Sequence, residues 1–262
     1  MTDDLLPFES PKLLIDGAKT SILDFKSECE SFIQGCTYDT IVHIDPNTRE
    51  QVVKCRFHNR VPPKMRVPAY HIVCDLRHAL DQAVCDGALV LGRANAKGVY
   101  FPFGLTPKNL DDETKVKTKA VNPDLVTFIR GFNAHYGGDD LLYSLSALAG
   151  PNKHQRILRI SLDSGGALFG GSGQPWRLTV SSGDKIGINK WNELRNELEF
   201  CRFGPNTHGN IDVSPVVQIV LGTGEPPLSS PAATVLDALA SKVESIVLGI
   251  EAETARLKAL LP

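Results

Sequence analysis

Between about Ala69 and Leu91 the chain carries a stripe that fits one backbone geometry far better than any other. Placed at 100° per residue, Ile72, Val73, Leu76, Ala79, Leu80, Ala83 and Val84 share one face. His71, Asp75, His78 and Gln82 share the opposite face, and Arg77 and Asp81 sit on the boundary at i, i+4. This is a long amphipathic helix, and it must bury its apolar face against other elements. Leu14, Ala18, Ile22, Phe25, Cys29 and Phe32 give a second such stripe, ending near Gly35. Val235, Leu239, Val243, Ile246, Ile250, Leu257 and Leu261 give a third, with Ser230 and Pro231 reading as its N-cap and first position.

Strand signals lie between these helices. Tyr38–Ile44 and Gln51–His58 flank Asp45-Pro46-Asn47-Thr48 and read as a β-hairpin. Asp111–Lys119, with alternating signs, reads as a solvated loop or helix face, and short helical patterns follow at Pro123–Gly131 and Asp139–Ala149. From Arg156 the period changes. Ile157, Leu158 and Ile160 open a strand, Gly165–Gly173 reads as a flexible hairpin tip, and Trp176–Val180, Lys185–Ile188, Glu197–Phe203 and Val216–Leu221 are further strands.

The expected fold class is therefore α+β in one domain over residues 1–262. A helical bundle of long N-terminal, central and C-terminal helices packs with an antiparallel β-hairpin and a C-terminal antiparallel β-rich segment. The helix-rich part covers 10–155, the β-rich part 156–222 and the closing helix 230–261.

Charge and composition narrow the function classes. With 28 Lys+Arg against 30 Asp+Glu the net charge is −2, so the footprint of a non-specific nucleic-acid binder is missing. No apolar run approaches the roughly 20 residues of a membrane span. The opening MTDDLLPFESPK has acids where a secretory signal carries its positive region, and a cytoplasmic protein is expected. Cys29, Cys36, Cys55, Cys74, Cys85 and Cys201 contain no C-x-x-C pair and read as reduced, structural thiols. No pattern calls for a cofactor.

Several chemical motifs fail in context. Gly165 to Gly173 lacks the Gly-Lys-Ser/Thr ending of a phosphate loop, and Ser182-Gly183-Asp184-Lys185 lies in a turn rather than opening a helix. His71, Asp75 and His78 stack on one helix face and are candidate metal ligands, with His154 as a fourth; a face opposite an apolar stripe normally points at water, so no metal is expected. Arg77 with Asp81 suits either a structural pair or bidentate capture of a phosphate or carboxylate. Asn152-Lys153-His154-Gln155-Arg156 adds cationic groups at the end of another helical pattern, where the helix dipole alone also favours them.

Five segments occur in an order that carries a resemblance: Asp75-Leu76-Arg77-His78-Ala79-Leu80-Asp81-Gln82, Phe101-Pro102-Phe103, Tyr136-Gly137-Gly138-Asp139-Asp140-Leu141, Leu145-x2-Leu148 and Lys153-His154. The chain resembles a family of uncharacterised bacterial and phage proteins whose pattern runs N-L-R-S-A-L-D-H, F-P-I, P-Y-x-G-G-D-D and a helix ending D-K-H-R. The resemblance covers roughly residues 10–160. Here Gln82 replaces the family's His, and Asn152-Lys153-His154-Gln155 stands for D-K-H-R. The family's R-x4-H is similar to the R-x4-6-H of HEPN ribonucleases and toxins, which implies Arg77 as a phosphate-facing group and His154 or His78 as candidate catalytic acid–base residues.

The leading expectation is a protein that binds an anionic ligand or partner through Arg77, Asp81, Lys153 and His154. The alternatives are a HEPN-like ribonuclease or toxin acting on RNA, and a structural or assembly module in which Arg77–Asp81 locks the bundle, with a homo-oligomer in view.

Overall fold

The computed structural model describes residues 5–149, 158–169, 177–179, 187–204, 208–210, 213–222 and 227–261. Helix α1 (Glu9–Gln34) leads into the hairpin β1 (Tyr38–Ile44) and β2 (Gln51–Phe57), and a single 3₁₀ turn at Pro63–Met65 opens α2 (Arg66–Val90). Three short helices follow: α3 (Pro107–Lys117), α4 (Pro123–Arg130) and α5 (Asp140–Ala149). Strands β3 (Ile160–Phe169), β4 (Arg177–Thr179), β5 (Gly187–Asn192), β6 (Glu197–Phe203), β7 (His208–Asn210) and β8 (Val213–Leu221) precede the closing helix α6 (Ala232–Lys258). The chain is α+β, with antiparallel strand pairings throughout the named strands.

The three long helices form the centre because each has one apolar face and no other way to cover it. Ile22 and Phe25 of α1, Ile72, Leu76 and Leu80 of α2, and Leu239, Val243 and Ile250 of α6 are all almost wholly buried in one cluster. Leu158, Ile160 and Leu162 join that cluster together with Ile219 and Leu221, so the β3–β8 ribbon closes one side of the bundle. Short helices have less apolar area and rely on caps: Thr106 Oγ1 accepts from the Asn109 N–H, and Asn122 Oδ1 accepts from the N–H groups of Asp124 and Leu125.

The hairpin does not stand alone. Its β2 pairs with β6, giving a four-stranded sheet in the order β1-β2-β6-β5, with a register shift between Val53 and Lys54. A second, small cluster of Val53, Cys55, Phe57, Leu198, Cys201 and Phe203 lies on one face of that sheet.

Several local expectations need correction. Of the two readings of Asp111–Lys119 the helix face holds and the loop does not: the segment is largely helix α3, with Leu110 and Thr114 as its narrow buried side. Residues 165–169 continue β3 rather than forming a hairpin tip, with a register shift between Ser164 and Gly166 that absorbs the glycines; residues 170–173 lie outside the described residues. Pro231, not Ser230, occupies the N-cap of α6, without a side-chain cap. Leu261 is exposed, because α6 ends at Lys258 and its stripe outruns the surface it covers.

Candidate functional site

The boundary position of Arg77 and Asp81 on α2 is what the 100° spacing implies, and both side chains are turned onto one backbone segment. Asp81 Oδ1 accepts the Phe101 N–H at 2.8 Å, and Arg77 Nη2 donates to the Phe101 carbonyl at 3.4 Å. Arg77 Nη1 donates to Ser146 Oγ of α5 at 3.2 Å, and its Cζ sits 4.0 Å over the Phe103 ring. Arg77 Nε lies 3.6 Å from Asp81 Oδ2, beyond a hydrogen bond, and has no other partner among the described residues. Burial lowers the Arg77 pKa and raises that of Asp81, each against the pull of the opposite charge beside it. The pair's bonds hold Phe101 and Phe103 against α2 and α5.

The other motif residues have comparable duties. Asp139 Oδ1 accepts the Leu142 N–H at the start of α5, its Oδ2 takes Lys242 Nζ of α6 at 2.8 Å, and Asp140 Oδ1 accepts the Gly137 N–H. A Cβ on Gly138 would stand 2.5 Å from the Asn133 carbonyl and 2.7 Å from the His135 ring, so this close approach admits only glycine. Gln82 Oε1 accepts from Ser10 Oγ at 2.7 Å and ties α1 to α2.

His71 and His78 are exposed and Asp75 is half-buried. Among the described residues no group of three His, Cys, Asp or Glu side chains converges as a metal site. Lys153 and His154 lie outside the described residues, so the structure places Arg77 and Asp81 together and leaves the other two unplaced.

A different cluster has groups without internal duties. Between the opening of α2, β3 and the β5–β6 turn lies a cleft of about 300 Å³ lined by Arg60, Val61, Pro63, Arg66, Ile160, Ser161, Leu162, Trp191, Glu193 and Asn196. Arg66 Nε and the Trp191 indole N–H are both buried without a hydrogen-bond partner among the described residues. Trp191 is fixed by packing, its ring 5.6 Å from that of Phe57. Asn196, at φ 55°, anchors the turn: its Nδ2 donates to the carbonyls of Phe57 and Asn59, each at 2.8 Å. Arg60 Nη2 donates to the Leu194 carbonyl at 2.9 Å, and Ser161 Oγ to that of Gly222 at 3.3 Å. The one carboxylate on the lining, Glu193, is already paired with Arg159.

Across Trp191 a smaller cavity of about 160 Å³ meets Lys54, Glu197, Glu199 and Arg202. Its charges neutralise one another: Arg202 binds Glu199, Asp45 and Glu50, Lys54 lies 3.7 Å from Glu199, and Arg56 takes Glu197 at 2.7 Å. The larger cleft is therefore the one whose donors are left over. Sequence inspection missed it because Arg60, Arg66, Ser161 and Trp191 fall in separate segments with no common motif; the single hint was a pair of arginines flanking Pro62-Pro63.

No protein-family model, curated protein or solved structure matches this chain.

Proposed function

We propose that the protein binds a small organic anion in the cleft between the start of α2, β3 and the β5–β6 turn. One observation carries the reading: Arg66 and Trp191, which both line this cavity, each carry a buried N–H donor without a partner among the described residues. An unsatisfied buried donor costs about 1–3 kcal/mol, and a bound oxygen acceptor recovers it. Arg60 and Arg66 favour a negative head group, since the carboxylate of Glu193 is held by Arg159. Val61, Pro63, Ile160, Leu162 and the Trp191 ring suit an apolar body behind that head.

The chemistry is that of the sequence-based expectation, an anion held by arginine, moved from Arg77 to Arg66. For Arg77 and Asp81 the bonds to Phe101 favour the structural alternative, a pair that locks the bundle. The ribonuclease alternative rests on His78, which is exposed on α2, and on His154, which lies outside the described residues.

Calorimetric titration of the full chain with benzoate, phenyl phosphate and the neutral benzyl alcohol tests the proposal. Saturable binding of at least one anion is expected, with benzyl alcohol silent. Arg66→Gln should weaken it by about tenfold or more, and Trp191→Phe by less, while Arg77→Met leaves it unchanged. Absence of saturation at about 1 mM for both anions, or unaltered affinity in Arg66→Gln, overturns the reading.

A further inference from the structure

Strand β1 is exposed on both of its faces for nearly its whole length, and it forms one edge of the four-stranded sheet. Tyr38, Val42 and Ile44 are 37%, 53% and 64% exposed, an apolar set that an isolated edge strand normally avoids. The hydrogen-bond phase of the edge is fixed by two contacts with β2. The Thr37 carbonyl accepts from the His58 N–H, and the Asp45 N–H donates to the Glu50 carbonyl. Both contacts continue the register that sets Tyr38 opposite Phe57 and Ile44 opposite Gln51. Odd-numbered residues of β1 therefore bond inward to β2. By the alternation of an antiparallel ladder, Tyr38, Thr40, Val42 and Ile44 turn their N–H and C=O groups to the open side.

We propose that β1 is the seam of a homodimer in which two copies pair antiparallel about a two-fold axis at Ile41. This register, and no neighbouring one, engages all four outward residues: Tyr38 with the partner's Ile44, Thr40 with the partner's Val42, and the two symmetric counterparts. The seam then gains up to about eight main-chain hydrogen bonds. The same register sets Asp39 opposite the partner's His43 in a non-hydrogen-bonded pair, where side chains approach most closely, and it does so twice by symmetry. Ile41, the least exposed residue of the strand, meets its own counterpart on that face. On the other face Tyr38 and Ile44 cover each other across the axis and extend the surface on which Tyr38 already meets Phe57 at 5.5 Å. Among the described residues the exposed ring of His58, at 3.3 Å, is the ionic partner of Asp39.

Sedimentation of the full chain at roughly 50 µM tests the seam, with a dimer of twice 28.5 kDa expected. Val42→Pro removes an outward donor without touching the β1–β2 ladder, so a folded monomer is expected by circular dichroism and sedimentation. Asp39→Lys and His43→Asp should each weaken self-association by roughly tenfold. Mixed together they should form a heterodimer. The lysine introduced in one copy then faces the aspartate introduced in the other, and the native His43 of the first copy faces the native Asp39 of the second. A wild-type monomer, a dimer indifferent to Val42→Pro, or failure of the two charge variants to associate on mixing overturns the proposal.

Discussion

The side chain of Asp81 shows how a buried charge is tolerated here. Its carboxylate has the Phe101 N–H and the Arg77 guanidinium as compensation, yet burial still keeps its pKa above the ordinary carboxylate value. The folded chain therefore holds this proton more tightly than the unfolded one. Its contribution to the unfolding free energy rises as pH falls through the raised value and levels off below the ordinary one. Asp81→Asn, which keeps an oxygen acceptor for Phe101, should flatten that part of the stability profile, as read by urea denaturation across pH about 4 to 7. Arg77→Met strips the carboxylate of its counter-charge and should cost about 3 kcal/mol, with much of the loss recovered in the Arg77→Met/Asp81→Asn double variant. Equal losses in the single and double variants would contradict the lock.

At the scale of elements, the crossing of α2, α4 and α6 depends on one residue without a side chain. A Cβ at Gly87 would lie 2.9 Å from Leu125 of α4 and 2.9 Å from the buried hydroxyl of Thr254 of α6. Gly87→Val should force the helices apart and lower stability by about 1–3 kcal/mol, visible as a shifted denaturation midpoint. The stripe around Gly87 was legible as a helix because period 3.6 is a local property. Its close approach to two other helices was not, since that depends on residues 38 and 167 positions further along the chain.

At the scale of the whole molecule, two apolar clusters coexist among the described residues, a large one in the bundle and a six-residue one on the sheet. Cysteines report on both. Burial pushes Cys29, in the bundle, up to about 12, and Cys55 and Cys201, on the sheet, up to about 11. All six cysteines are free thiols, and in the native state these three should resist Ellman's reagent near neutral pH, since only the thiolate attacks. In mild denaturant Cys55 and Cys201 should label before Cys29, because the smaller cluster opens at lower free energy. Simultaneous labelling would mean that sheet and bundle open together. No helix among the described residues is long and apolar enough to cross a membrane.

What this sequence determined by itself was the set of periodic elements: three long amphipathic helices, the hairpin and the strand at Glu197–Phe203, whose spans match closely. Hydrophobic spacing is written in consecutive residues, so it can be read without knowing the neighbours. It also singled out Arg77 and Asp81 as a pair, with a lock on the bundle among the purposes it offered, though not the segment they hold. Tertiary structure alone decided that β2 would join β6, that the pair would clamp Phe101, and that Arg66 and Trp191, whose buried donors have no partner among the described residues, would share a cleft. Those outcomes depend on which groups remain unsatisfied after the helices and strands have packed. That balance of burial and hydrogen bonding is settled between distant segments and leaves no local pattern in the chain.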